Sequence, residues 1–194
     1  MTTIANPKTL AEVQAYAVGT WNSLSVELRP SADNTGQVTP FLLTRRFTYL
    51  NAEQFVGIVT RYADNYGQMP LMELEFKGHL RWGNAHPIAE GAWELDYIVD
   101  EGFSITPLNE NIAAMLNQIP VEGLAPFAVG QKQDVLKKAF PVFNQAEGQI
   151  TTDHDLLYFS NGMLFMGAKH VDGASFDTPE RRPHQLQIPL ARQS

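Results

Sequence analysis

Between Leu71 and Trp82 the chain reads LMELEFKGHLRW, an almost unbroken alternation of apolar and polar side chains. Met72, Leu74, Phe76, Leu80 and Trp82 fall on one side of an extended backbone. Glu73, Glu75, Lys77, His79 and Arg81 fall on the other. A period of two is the mark of a β-strand whose two faces meet different surroundings. The same kind of run recurs at Trp21–Leu28, Pro40–Leu50, Phe55–Asp64 and Ala89–Val99, with Gly102–Thr106 extending the last or forming a sixth. Turn formers separate them in PSADNTGQ (Pro30–Gln37), NAEQ, NYGQMP and GNAHP. Many antiparallel strands joined by short turns predict a mainly β barrel or sandwich.

Helical patterns interrupt the strands twice. A short N-terminal helix is expected over residues 8–18, with Ala11, Ala15 and Tyr16 at helical spacing and Gly19 ending it. A helical insert is expected over 107–140. Its first helix, Pro107–Ile119, carries the stripe Ile112, Met115, Leu116 and Ile119, and a second lies near Gln131–Phe140. Strands return over Gly148–Lys169, where Asn161-Gly162 suits a tight hairpin turn. Gln185–Leu190 reads as a last short strand, confined to an edge or an end by Pro189. A length of 194 residues suits one domain over 1–194.

A net charge of -7 argues against a nucleic-acid backbone binder and against simple adhesion to anionic membranes. No apolar run approaches the ~20 residues that span a bilayer. The absence of cysteine and of a signal-peptide pattern points to the cytoplasm. No two of the five histidines have the i, i+2 or i, i+4 spacing of a metal pair, and the acidic run Asp153-His154-Asp155 reads as a solvated turn. Phosphate-cradling glycine loops, nucleophile elbows and dinucleotide fingerprints are absent from the sequence. No metal and no cofactor are therefore expected.

The chemistry lies on the strand faces. On the first strand Trp21, Ser23, Ser25, Glu27 and Arg29 share one face, and Leu24, Val26 and Leu28 the other. Gly19-x-Trp21 after a short helix is the pattern by which lipocalins close a barrel floor. Glu27 would then lie roughly 20 Å further along, at ~3.3 Å per residue, near an open end. On the second strand Phe41, Leu43, Arg45, Phe47 and Tyr49 share a face, and Glu94 and Asp96 share one on the fifth. A charged network of Glu27, Arg29, Arg45, Glu94 and Asp96 at the mouth is one expectation. The reverse alternation, with Met72, Leu74, Phe76, Trp82, Trp93, Leu95 and Tyr97 lining the interior, is the other.

The segments GTWNSLSVELRP, FLLTRRFTY, RYADNYGQMP, GAWELDY, ITPL, VGQKQDV and PERRPHQLQIPL occur in the order of a known family and span most of Gly19–Leu190. In them the chain resembles the domain repeated in the animal Wnt antagonist adenomatosis polyposis coli down-regulated protein. Trp21, Ser23, Glu27, Arg29, Pro30, Thr44, Arg45, Phe47, Pro70, Glu94, Gln133, Asp134 and Pro189 sit at matching positions. The resemblance implies a lipocalin-like (calycin-type) β-barrel that holds a hydrophobic or lipid-bearing ligand. Two family cysteines fall at Val26 and Gly67 here, so their cross-link is absent. A single copy without an anchor points to a stand-alone bacterial member, and the Wnt role does not carry over.

The expected function is uptake of a hydrophobic small molecule, an acyl chain or a lipidated peptide. Trp21, Arg29, Arg45, Phe47, Tyr49, Tyr62 and Glu94 are the ligand-binding candidates, with Arg29 or Arg45 orienting an acidic head. The alternative is a cofactor-independent isomerase or cyclase acting on an apolar substrate. There Glu27 is the general acid or base and Asp96 the reserve. A third reading is recognition of a protein or peptide partner through the loops or the helical insert.

Overall fold

The computed structural model describes residues 6–29, 40–119, 121–141, 145–168 and 175–193. The expected loop Pro30–Gln37 lies outside them. Strand makes up 48% and helix 12%, so pairing between strands sets the architecture. The strands are β1 (Gly19–Ser23), β2 (Glu27–Arg29), β3 (Phe41–Tyr49), β4 (Gln54–Tyr62), β5 (Pro70–Ala85), β6 (Trp93–Pro107), β7 (Gln133–Asp134), β8 (Thr151–Ser160), β9 (Met163–Met166) and β10 (Leu190–Arg192). The helices are α1 (Leu10–Ala17) and α2 (Glu110–Asn117). Neither is long and apolar enough to cross a membrane.

Pairing is antiparallel and runs β1-β10-β9-β8-β6-β5-β4-β3, after which β3 pairs back onto β1. The hydrogen bonds thus form a closed ring, with β2 lying along β3 and β7 along β6. The β5 alternation survives intact. Met72, Leu74 and Leu80 are buried, with Phe76 and Trp82 packed against the same core. The register slips opposite Gly78, where β6 carries the extra residues. A Cβ on Gly78 would stand 2.0 Å from the Ile98 carbonyl oxygen, so only glycine fits there. Asn161 and Gly162 have φ of 51° and 75° and turn the tight β8–β9 hairpin.

Four local expectations are corrected. The first strand is two strands. Asn22 faces Arg46 while Glu27 faces Leu43, so the chain bulges between β1 and β2 and folds Glu27 back over Ser23. The 131–140 segment is no helix. The Asp134 side chain accepts from the Leu136 N–H, Val135 donates to the Phe103 carbonyl, and Lys137 takes φ 58°, which spends the segment on covering β6. The last strand begins at Leu190, where the expected one ends; Gln185–Gln187 meets the chain after β9 through the isolated Gly167–Leu186 bridge, and Pro189 has no N–H to continue a ladder. α1 holds a Thr9–Glu12 capping box as a helix start should, but it buries Val13 and Ala17 and leaves Ala11 and Ala15 exposed.

Candidate functional site

Strand alternation carries Glu27, Leu43, Arg45, Phe47 and Tyr49 to the inner face of the ring. The β1–β2 bulge then decides what Glu27 meets. Ser23 Oγ donates to Glu27 Oε1 at 2.6 Å and accepts from the Arg45 N–H at 2.7 Å. Arg45 bonds Glu27 through Nε at 3.1 Å and through its terminal nitrogen at 3.0 Å, and Arg29 reaches Glu27 Oε2 at 2.7 Å. Arg45 also donates to the Ile188 carbonyl at 2.6 Å, tying the 175–188 segment to the inside of β3. Glu27 is 1% exposed and Arg45 6%. One buried carboxylate thus answers two guanidiniums. Burial is the largest influence on Arg29 and lowers its pKa. Arg45 adds repulsion in the same sense, and Glu27 opposes both.

Beside this cluster lies a cavity of about 250 Å³. Its wall is mostly apolar: Phe41, Leu43, Phe47, Phe55, Val59, Leu74, Phe76, Tyr97, Val99, Met166 and Phe176, joined by Arg29, Arg45, Arg61, Thr151, Asp153, Asp155 and Gln187. Each expected alternation therefore holds in part, on different strands. β5 and β6 turn apolar side chains inward, while β2 and β3 turn the Glu27–Arg45 set inward.

Two wall residues were not foreseen. Asp155 is 4% exposed. Its Oδ1 accepts the backbone N–H groups of Leu156 at 2.7 Å and Gly167 at 2.8 Å, while Oδ2 accepts from no described residue. Burial pushes its carboxyl up to about 7, against the pull of those two N–H groups. Arg61 on β4 lays its guanidinium carbon 4.7 Å from the centroid of the Phe41 ring, and its buried Nε has no hydrogen-bond partner among the described residues. The Asp153–Asp155 run is a stretch of strand β8 and not a turn. The pattern Thr151, Asp153, Asp155, Leu157, Phe159 was the available signal, since its deeper members Leu157 and Phe159 are 0% exposed.

The expected five-residue network divides in two. Glu94 and Asp96 face away from the cavity, under the 175–188 segment. Asp96 takes Arg182 at 2.8 Å, Arg81 at 2.9 Å and His154 Nδ1 at 2.9 Å. Burial alone would raise its pKa, but the hydrogen bonds from Arg182, Arg81 and His154 outweigh it and hold the carboxyl below its usual range. Glu94 lies 3.8 Å from Arg182 and accepts from the Asn84 N–H. This second cluster clamps the segment to the outside of β6 and β8. Asp96 is consequently held away from the cavity, and Glu94 is not a wall residue.

The remaining candidates lie around the cavity. Trp21 is fully buried, donates to the Ala17 carbonyl at 2.8 Å, and lies under the Arg192 guanidinium at 4.5 Å. It packs against Phe159 and Tyr16 and is not among the residues lining the cavity. Tyr49 is buried and does not line the cavity. Its hydroxyl meets that of Tyr97 at 2.6 Å, and burial raises the pKa of both. Phe47 lines the cavity directly. Tyr62 alternates to the outer face, where its hydroxyl lies 3.4 Å from Thr44 Oγ1. Among the described residues no group of three histidine, cysteine, aspartate or glutamate side chains is placed to hold a metal ion.

No protein-family model matches the chain, and no curated protein matches it.

Proposed function

We propose that the protein is a binding module that takes up a hydrophobic small molecule or acyl chain, including one carried on a peptide, inside a lipocalin-like barrel formed by the closed ring. The observation that carries this reading is the apolar-walled cavity of about 250 Å³ on the inner face of the strands. Pockets that bury small ligands are concave, mostly apolar and furnished with a few polar groups. Transfer of each CH₂ from water contributes roughly 0.8 kcal/mol, so a short chain binds usefully after the costs of association. The ordered motifs shared with the adenomatosis polyposis coli down-regulated domain support the same reading, as does the buried Trp21 at the base. Thermal shift and displacement of a fluorescent fatty-acid probe test it. Acyl ligands should raise Tm, and Val59→Trp, which fills the wall, should abolish the effect. A protein that takes up no acyl, isoprenoid or aromatic probe and co-purifies with none in native mass spectra overturns the proposal.

A second reading, a cofactor-independent isomerase, is favoured by Asp155. Glu27 is occupied by Ser23, Arg29 and Arg45. Asp155 instead pairs a fixed Oδ1 with an Oδ2 that accepts from no described residue, in a wall of the cavity, and its carboxyl is poised near neutrality. Proton transfer next to a carbonyl is the chemistry such a group serves. Turnover of apolar β,γ-enones that disappears in Asp155→Asn supports it; identical turnover in that variant removes it.

A further inference from the structure

Three arginines reach the cavity wall, and they are not equivalent. Arg29 and Arg45 share the Glu27 carboxylate. Arg61 has no carboxylate, carbonyl or amide acceptor among the described residues, and its Nε is buried without a partner. Burial alone depresses its guanidinium, with no acidic neighbour restoring it. Arg61 is half-buried, and a charge partly withdrawn from water without a counter-ion is costly. The Phe41 ring, its centroid 4.7 Å from the guanidinium carbon, offsets part of this. It leaves the in-plane N–H groups unoccupied, and a guanidinium fork presents those in pairs to a carboxylate.

The strand supplies the rest of the site. Arg61, Val59 and Gly57 follow one another on the inner face of β4, Leu74 stands opposite Val59, and Phe76 stands opposite Gly57. Gly57 has no side chain, and Phe47 occupies the space a Cβ would need, 3.1 Å away. The inner face therefore passes from a cation at one end of β4 to an apolar trough along it. At about 30 Å³ per water-sized group, the cavity accepts about eight non-hydrogen atoms.

We infer that Arg61 anchors the head group of a short-chain monocarboxylate whose tail lies along Val59, Leu74 and Phe76. This rests on the proposed uptake of an apolar ligand and adds its head group and length. One negative charge balances Arg61, whereas a doubly charged phosphate head would bring excess charge beside Asp153 and Asp155, which share the same wall.

The test compares hexanoate, hexanol, hexyl phosphate and hexylamine by calorimetry at about pH 8, where the carboxylate is ionised and the phosphate carries its second charge. Hexanoate should bind the wild-type protein about tenfold or more tightly than hexanol, the scale of a charge-assisted hydrogen bond, and hexylamine and hexyl phosphate should be weaker. Arg61→Met should remove that preference, and should raise the Tm of the ligand-free protein by relieving the unpaired charge. Arg61→Lys should retain part of the preference. Equal binding of hexanoate and hexanol to wild type, or a preference that persists in Arg61→Met, overturns the role of Arg61 and leaves apolar uptake standing. Preference for hexyl phosphate overturns the carboxylate assignment. Failure of every hexyl compound and every longer probe to bind overturns both.

Discussion

Glu27 and Arg45 form a two-pronged ion pair inside the ring, with Arg45 Nε 3.1 Å and its terminal nitrogen 3.0 Å from Glu27 Oε1. Removing the acid strands two guanidiniums at once, because Arg29 leans on the same carboxylate. Glu27→Ala should therefore cost about 3–5 kcal/mol, and Arg29→Ala distinctly less because Arg45 keeps its partner. Urea unfolding of the two variants checks this. A Glu27→Ala loss below about 1 kcal/mol would show that solvent reaches the pair.

Asp155 gives stability a pH dependence of a defined sign. Its carboxyl titrates near 7 in the fold and near 3.8 when unfolded, so the folded protein binds more protons across that interval. Stability from this group is full below about 3.8, falls as pH rises, and is lost above about 7. Asp155→Asn keeps an oxygen for the Leu156 and Gly167 N–H groups and cannot ionise. The variant should be more stable than wild type at pH 8, by about 1–4 kcal/mol, with the gap closing towards pH 4. Parallel stability curves across that range would contradict the burial of a titrating carboxyl.

The Tyr49 and Tyr97 hydroxyls satisfy each other at 2.6 Å in the buried core. Either single change to Phe leaves one hydroxyl without a partner and should cost about 1–3 kcal/mol, whereas the double change should cost less than the sum. A double-mutant cycle measured by thermal or urea unfolding reads the coupling directly. Strict additivity would mean that water serves both groups.

Gly167 touches two parts of the site. A Cβ there would lie 1.9 Å from Pro183 Cγ and 2.5 Å from Asp155 Oδ1. Gly167→Ala should push the 175–188 segment outward, cost about 1–3 kcal/mol as overpacking does, and weaken uptake of an acyl probe. Unchanged Tm and unchanged probe affinity would show that the segment yields freely.

The strands were legible because alternation is local: LMELEFKGHLRW names its own two faces, and Asn161-Gly162 names its own turn. Trp21 is fully buried, as its place on the face shared with Ser23 and Glu27 after a short helix suggested. What escaped reading depended on register. The bulge that returns Glu27 to Ser23 adds residues between two strands without changing their alternation, so the strand looked continuous. Glu94 and Asp96 are charged residues on a buried strand, and only the 175–188 segment, folding back with Arg182, decides that they are covered from outside. Arg61 sits at the end of an apolar run, where it resembles a solvated cap, and Asp155 sits between polar neighbours. Neither can be recognised until the ring brings both to one wall.

The ring is joined at one place by its slightest member. β10 has three residues, and it meets β1 through three residue pairs and β9 through two. A growing chain that has already assembled β3 through β9 still shows one open side on β9 and one on β1. Both remain available to strands of other molecules until Leu190–Arg192 arrives. The interval between the making of the hairpin and the arrival of this short stitch is thus when the newborn protein is most exposed to sticking to its neighbours.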